Sequence, residues 1–229
     1  MRSSPGLSPR AVGLAASVIT VTIWTSFIVI ARASAQRTLG PFDIALLRIL
    51  GAGLILLPWG WWMVRRQGLP GWLRMSPLSW RLTALTGLFG GLLYAMLAYS
   101  GFFYAPAAHA SVLMPGSLPL WTTLLAALIL GERITPARAT GLALIVAGDL
   151  LVGGASLLQA FSGGDVWRGD LLFMSAAFCW SVYSVLARRH GLGAVEATIA
   201  VTVFAAVFYL PGYTLLAASG ALPSRLAQA

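Results

Sequence analysis

Two ionisable residues, Arg48 and Asp149, sit well inside long apolar runs of this 229-residue sequence. A charge in such a run is costly unless it is paired or wetted, so it marks an ion or substrate path by default. Asp149 has the chemistry to carry a coupling proton; its competing role is a wetted carboxylate near the end of its run. Arg48 is either a functional cation or a structural one that snorkels to an interface. A second group lies between Ala107 and Leu130, where Pro115 and Pro119 each remove a backbone donor and free a carbonyl. At membrane depth a freed carbonyl is tolerated against protein or a water-filled cavity, so the prolines point to a cavity wall. A kink used only for packing is the alternative. Ser111, Met114, Ser117 and Trp121 share this stretch, and a lining of small, soft and aromatic groups suits an amphipathic small molecule. Each serine by itself is equally well used on its own helix backbone.

The inventory excludes other chemistry. All fifteen basic residues are arginines, so a phosphate-loop lysine, a Schiff base and a Ser-Lys pair are absent. One cysteine, Cys179, and two histidines, His109 and His190, cannot build a multi-cysteine or three-histidine metal site. No cofactor and no metal is expected, and no enzyme activity. His109 opens the proline-bearing stretch and titrates near neutrality, which suits a pH sensor or an ordinary loop histidine. Glu132 and Arg133 follow that stretch and suit the fixing of a helix end. Gly87 and Gly91 form a small-xxx-small pair, a common packing device.

These residues are positioned by elements that only lipid can solvate. Apolar residues make up 59% and charged residues 9% of the chain, with a mean hydropathy of +0.85, far from the balance of a soluble domain. The expected class is therefore an all-α integral membrane protein whose first partner is the bilayer. Seven windows reach the roughly 20 apolar residues a spanning helix needs: Ala11–Ala31, Phe42–Val64, Leu82–Tyr104, Ala107–Leu130, Ala137–Ala155, Gly169–Ala187 and Ala194–Ala217. The net charge of +9 reads as loop charge facing a cytoplasmic leaflet, and no basic stripe with interleaved aromatics supports nucleic-acid binding. Ten arginines fall on the side of the N-terminus and the even-numbered loops and five on the other, which predicts a cytoplasmic N-terminus in a bacterial inner membrane. A competing reading takes the first window as a signal peptide ending near Ala33-Ser34-Ala35, but the run is long and is closed by Arg32.

The chain also repeats itself. Trp24 to Arg32 aligns with Trp180 to Arg188, and Gly13 with Gly169, at an offset of 156; Gly40, Asp43 and Pro58 then fall on Gly193, Glu196 and Pro211 at an offset of 153. Five spans separate the first window from the sixth, so the copies cross the membrane in opposite senses. Inverted repeats suit alternating access, because exchanging the two halves' conformations opens one cavity to either side. Residues 1–156 form a first unit of five spans and 157–229 a partial second unit of two. Residues 77–156 have no counterpart, and restoring those 80 would give about 309 residues and ten spans. Trp24 and Trp180 occupy equivalent places away from the interfacial belt, suited to pocket lining or to helix packing. Trp59, Trp61, Trp62, Trp72 and Trp80 cluster where interfacial anchors belong.

Trp24, Pro41 to Arg48, Ala110-Ser111 through Gly131-Glu132-Arg133, Gly141 and Gly148 together resemble the drug/metabolite transporter superfamily, and within it the EamA-like members. The resemblance implies a ten-span exporter of small metabolites, amino acids or drugs, built from two five-span halves. Its central cavity would be walled largely by the third and fourth spans and their partners in the other half. The chain departs from the pattern in lacking the last three spans, in carrying Val201 where a repeat of Arg48 would fall, and in placing Asp149 in an ordinarily apolar stretch. A second chain or a homodimer would complete the cavity; the alternative is a truncated remnant or a subunit that does not transport.

Overall fold

The computed structural model describes residues 8–37, 40–69, 71–160 and 164–220. Arg2 and Arg225 of the charge count, and residues 161–163 of one connector, lie outside them. Among the described residues there is no strand. The seven expected spans appear as seven membrane-length helices: α1 (Pro9–Arg37), α2 (Pro41–Gln67), α3 (Trp80–Tyr104), α4 (Ala107–Leu130), α5 (Pro136–Ala160), α6 (Val166–Arg189) and α7 (Ala194–Ala218). The protein is an all-α integral membrane protein, since each helix satisfies its own backbone over a length that crosses a hydrocarbon core.

The helix starts carry matching chemistry. Gly40 N–H donates to Asp43 Oδ2 at 3.0 Å at the head of α2, and Gly193 N–H donates to Glu196 Oε2 at 3.3 Å at the head of α7. In each case an acid three residues into the helix satisfies an orphan donor and complements the positive end of the helix dipole. Pro58 and Pro211 lie inside the same two helices.

Helix α6 is sandwiched by α3 and α4, and α7 by α2 and α3. Glycine permits both approaches. A Cβ on Gly87 or Gly90 would run into Phe204 of α7 or Tyr183 of α6, and one on Gly101 into Phe173. Between these contacts Leu88–Leu93 widens into a π-helical turn. The main core collects Tyr94, Tyr99, Phe102, Leu113, Met114 and Phe173, with Phe102 and Phe173 edge to face at 5.0 Å. Helix α1 touches α2, α3 and α4.

Two polar clasps tie distant segments. Tyr213 Oη donates to Asp43 Oδ1 at 2.7 Å and Tyr209 Oη to the Phe42 carbonyl at 2.6 Å, joining the head of α2 to the tail of α7. Asp43 is fully buried, so removing a donor exposes its desolvation cost. Tyr213→Phe is therefore expected to destabilise the fold by about 1–3 kcal/mol, read as a shift in reversible unfolding in mixed micelles; an unshifted curve would exclude the bond as a stabilising contact. At the arginine-rich end, Glu132 holds Arg188 of α6, and Arg138 of α5 at 3.3 Å. The Arg188 hydrogen bond, with that from Arg138, holds the Glu132 carboxyl below its ordinary value. A depressed folded value means a contribution present above the unfolded carboxyl pKa of about 4.3 and lost as pH falls through the folded one. Glu132→Gln should thus lower thermal stability at neutral pH, with parent and variant converging in strong acid; a constant gap across that range would refute the linkage.

The aromatic anchors divide. Trp59, Trp61, Trp62 and Trp80 face outward, and Arg65, Arg66 and Arg81 lie over Trp61, Trp62 and Trp80 at 4.7, 5.0 and 5.7 Å, as interfacial side chains do. Trp72 instead folds back and stacks on Phe208 of α7 at 6.2 Å.

Candidate functional site

A cavity of about 180 Å³ lies among α2, α3, α6 and α7. Its floor is the π-helical turn, where Gly90 and Gly91 withdraw side chains from the space; such turns recur at functional sites because they break the even spacing of a helix face. One wall is Ala45, Arg48, Ile49, Ala52 and Leu56 of α2, and the facing wall is Thr198, Val201, Thr202 and Ala205 of α7. The first four of these α2 residues each stand 153 positions before one of the α7 set, the offset at which Gly40, Asp43 and Pro58 fall on Gly193, Glu196 and Pro211. The two helices present the same register to the cavity with different chemistry: a guanidinium from α2 and two hydroxyls from α7.

The third side is aromatic. Trp180 and Tyr183 line the cavity. Trp180 lies 5.0 Å from Tyr94 and 5.2 Å from Tyr183 between ring centroids. Trp24 packs against the same core cluster that holds Tyr94. Arg48 Nη1 donates a long hydrogen bond of 3.5 Å to Tyr99 Oη. A cation set beside aromatic faces and methyl groups can hold an anionic group while its apolar remainder lies on the rings.

The other residues that stand out in the sequence are distributed elsewhere in the bundle. Trp24, Ser111 and Pro115 line a groove of about 250 Å³ between α1 and α4. The Ser111 hydroxyl donates to the Ala107 carbonyl at 2.8 Å and that of Ser117 to Leu113 at 2.6 Å, each on its own helix. Met114 and Ser117 are buried in the protein interior. Trp121 packs edge to face on Phe178 at 5.4 Å, and its indole N–H is buried with no acceptor among the described residues. Helix α4 stays helical through both prolines. Asp149 lines a third cavity, among α4, α5 and α6. Of the candidates, Arg48 and Trp180 share the cavity among α2, α3, α6 and α7, and no residue of α4 lines it. Tyr183, Thr198 and Thr202 carry no signal of their own in the sequence, although taking the 153-residue offset across from Arg48 leads to the correct face of α7.

A bundle of seven membrane-length helices enclosing a small amphipathic cavity defines a multi-pass membrane protein. The chain belongs to the EamA-like transporter family, whose match runs over residues 11–154. It is 30% identical over 198 residues to an uncharacterized transporter of Archaeoglobus fulgidus, covering 84% of this chain and 64% of that protein. It is 29% identical over 117 residues to the uncharacterized transporter YyaM of Bacillus subtilis, covering 51% and 37% of the two chains. With the aromatic amino acid exporter YddG of Ancylobacter novellus it shares 34% identity over 131 residues, 55% of this chain and 39% of the exporter. The chain thus spans less than two thirds of the length of each of these relatives. No solved structure matches it.

Proposed function

We propose that this protein is a secondary transporter that exports a small amphipathic solute with an anionic group, of the kind an aromatic amino acid represents, across the bacterial inner membrane by alternating access. The observation that carries the reading is the cavity wall of four residue pairs, each separated by 153 positions. A binding site at the contact of two inverted repeats is what alternating access requires. In this reading residues 1–156 and 157–229 are the two units, the N-terminus is cytoplasmic, Arg48 holds the anionic group, and Trp180 and Tyr183 hold the ring. Trp24 supports that wall through the core cluster that holds Tyr94, and the groove at Ser111 and Pro115 is a lateral part of the pathway. The name of the Ancylobacter relative favours aromatic amino acids and the outward direction.

Counterflow in proteoliposomes tests this directly. Vesicles loaded with unlabelled phenylalanine, tyrosine or tryptophan should accumulate the labelled solute from outside. Absence of exchange across aromatic, aliphatic and acidic amino acids would defeat the substrate class. A second reading, a membrane subunit that needs another chain or a second copy, is favoured by one contrast. None of the spanning window of α1 is buried, against 39% of the equivalent window of α6. Exchange that appears only when two copies are covalently linked, or when a second membrane chain is co-reconstituted, would select it.

A further inference from the structure

The cavity among α4, α5 and α6 holds chemistry that solute binding does not use. It encloses about 270 Å³ and is walled by leucines, Val146 and Met174, with two carboxylates, Asp149 and Asp170. Asp149 is only 9% exposed, and no hydrogen bond or ion pair reaches it among the described residues. Its Oδ1 is aimed across at Gly116 of α4, where a Cβ would collide with it. Asp170 Oδ1 pairs with His109 Nδ1 at 2.8 Å, and the two side chains are 5% and 20% exposed. The Oδ2 of Asp170 lies 3.7 Å from where a Cβ on Gly153 would stand. Gly153 is one helical turn from Asp149 on the same helix, so Asp170 of α6 meets α5 about one turn, roughly 6 Å, along the helix from Asp149.

The ionisable groups around Asp149 are few. Helix α4 supplies His109 alone and α6 supplies Asp170, while Arg168 at the head of α6 is exposed and pairs with Asp165 at 3.3 Å. An uncompensated carboxylate in such a place needs a positive partner. Sodium or calcium would require about six oxygen ligands, and the remaining wall is hydrocarbon and thioether. A proton requires one oxygen.

We propose that His109, Asp170 and Asp149 form a proton site separate from the solute cavity, and that it binds the ion that drives transport. The driving role rests on the transport reading above; the proton binding does not. The proton enters on the His109 imidazole, passes to Asp170 across the 2.8 Å bond, and is held by Asp149 one turn deeper. In the opposite conformation it leaves Asp149 to water at the other face, so that one proton crosses the bilayer per cycle and no other atom changes hands.

Dicyclohexylcarbodiimide, which attacks protonated carboxyls in apolar surroundings, reads the site without any solute. Whole protein in lipid nanodiscs should be labelled at Asp149, as located by peptide mass spectrometry. Asp170→Asn should lower that labelling severalfold at neutral pH, because the second negative charge no longer helps to hold the proton. Gly116→Ala, which displaces the Asp149 carboxylate and leaves its chemistry intact, should also change it severalfold. No label on Asp149, or label equal in parent and both variants, would overturn the proposal. Protection by molar sodium chloride would reassign the site to a metal ion, and protection by tetraphenylphosphonium to an organic cation; either overturns it. Labelled protein that exchanges no amino acid would support the proton site while counting against the transport reading alone. In vesicles that do transport, uptake driven by a pH gradient should fall at least tenfold in Asp149→Asn, and unchanged uptake would remove the driving role.

Discussion

Gly169→Ala should destabilise the helix bundle by about 3 kcal/mol, the upper part of the range for inserting a methyl into a filled interior. The equivalent Gly13→Ala should be neutral or stabilising by up to about 1 kcal/mol, the ordinary gain of alanine over glycine inside a helix. The added Cβ at Gly169 would sit 2.7 Å from the Ala105 backbone nitrogen and 2.8 Å from the Gly101 carbonyl oxygen. Backbone atoms cannot rotate away, so α6 must lift from α3, and it would take the Phe102–Phe173 contact with it. At Gly13 nothing stands within 4 Å of the new carbon. Steric-trap or mixed-micelle unfolding of the two variants side by side measures the contrast. Equal effects at the two positions would mean that α6 does not rest on α3 as described.

The second large effect concerns Arg48. If the guanidinium holds the anionic group of the solute, Arg48→Gln removes a charge-assisted bond of about 1.5–3 kcal/mol, which is roughly a 10- to 150-fold loss in kcat/KM at 1.4 kcal/mol per decade. Arg48→Lys should recover only part of it, since an ammonium lacks the planar fork that grips a carboxylate. The decisive control is a solute series. The loss should vanish for the decarboxylated amine of the same amino acid, which has no anionic group to lose. Equal losses for acid and amine would make Arg48 a structural cation acting through Tyr99, 3.5 Å away.

The class of this protein was legible from composition and window length, because only a helix can carry about 20 apolar residues through lipid with its backbone satisfied. The seven spans fall where the hydropathy places them, and α4 has the expected boundaries. Local chemistry was legible too, since the Gly40–Asp43 and Gly193–Glu196 caps are short-range events that a four-residue stretch decides. The site was legible only in part. Arg48 and Trp180 announced themselves as a charge and a repeated tryptophan in apolar runs.

Hydropathy cannot say which way a uniformly apolar helix faces, since lipid tails and a protein core reward the same side chains. Gly13 and Gly169 align at the offset of 156 in the sequence; tertiary packing alone makes the second a contact and leaves the first open. For the same reason the prolines of α4 stand out in the sequence yet mark no break, while Tyr183, Thr198 and Thr202 stay hidden in it. Asp170 is hidden too, since a residue near a helix head gives no sign that folding sets it beside His109, 61 positions away in sequence. What crosses the membrane, and which acids cap two of the crossings, was written in the order of residues alone. Which faces meet was settled by packing in three dimensions, because that choice depends on small residues letting particular backbones approach and on polar groups finding partners across helices.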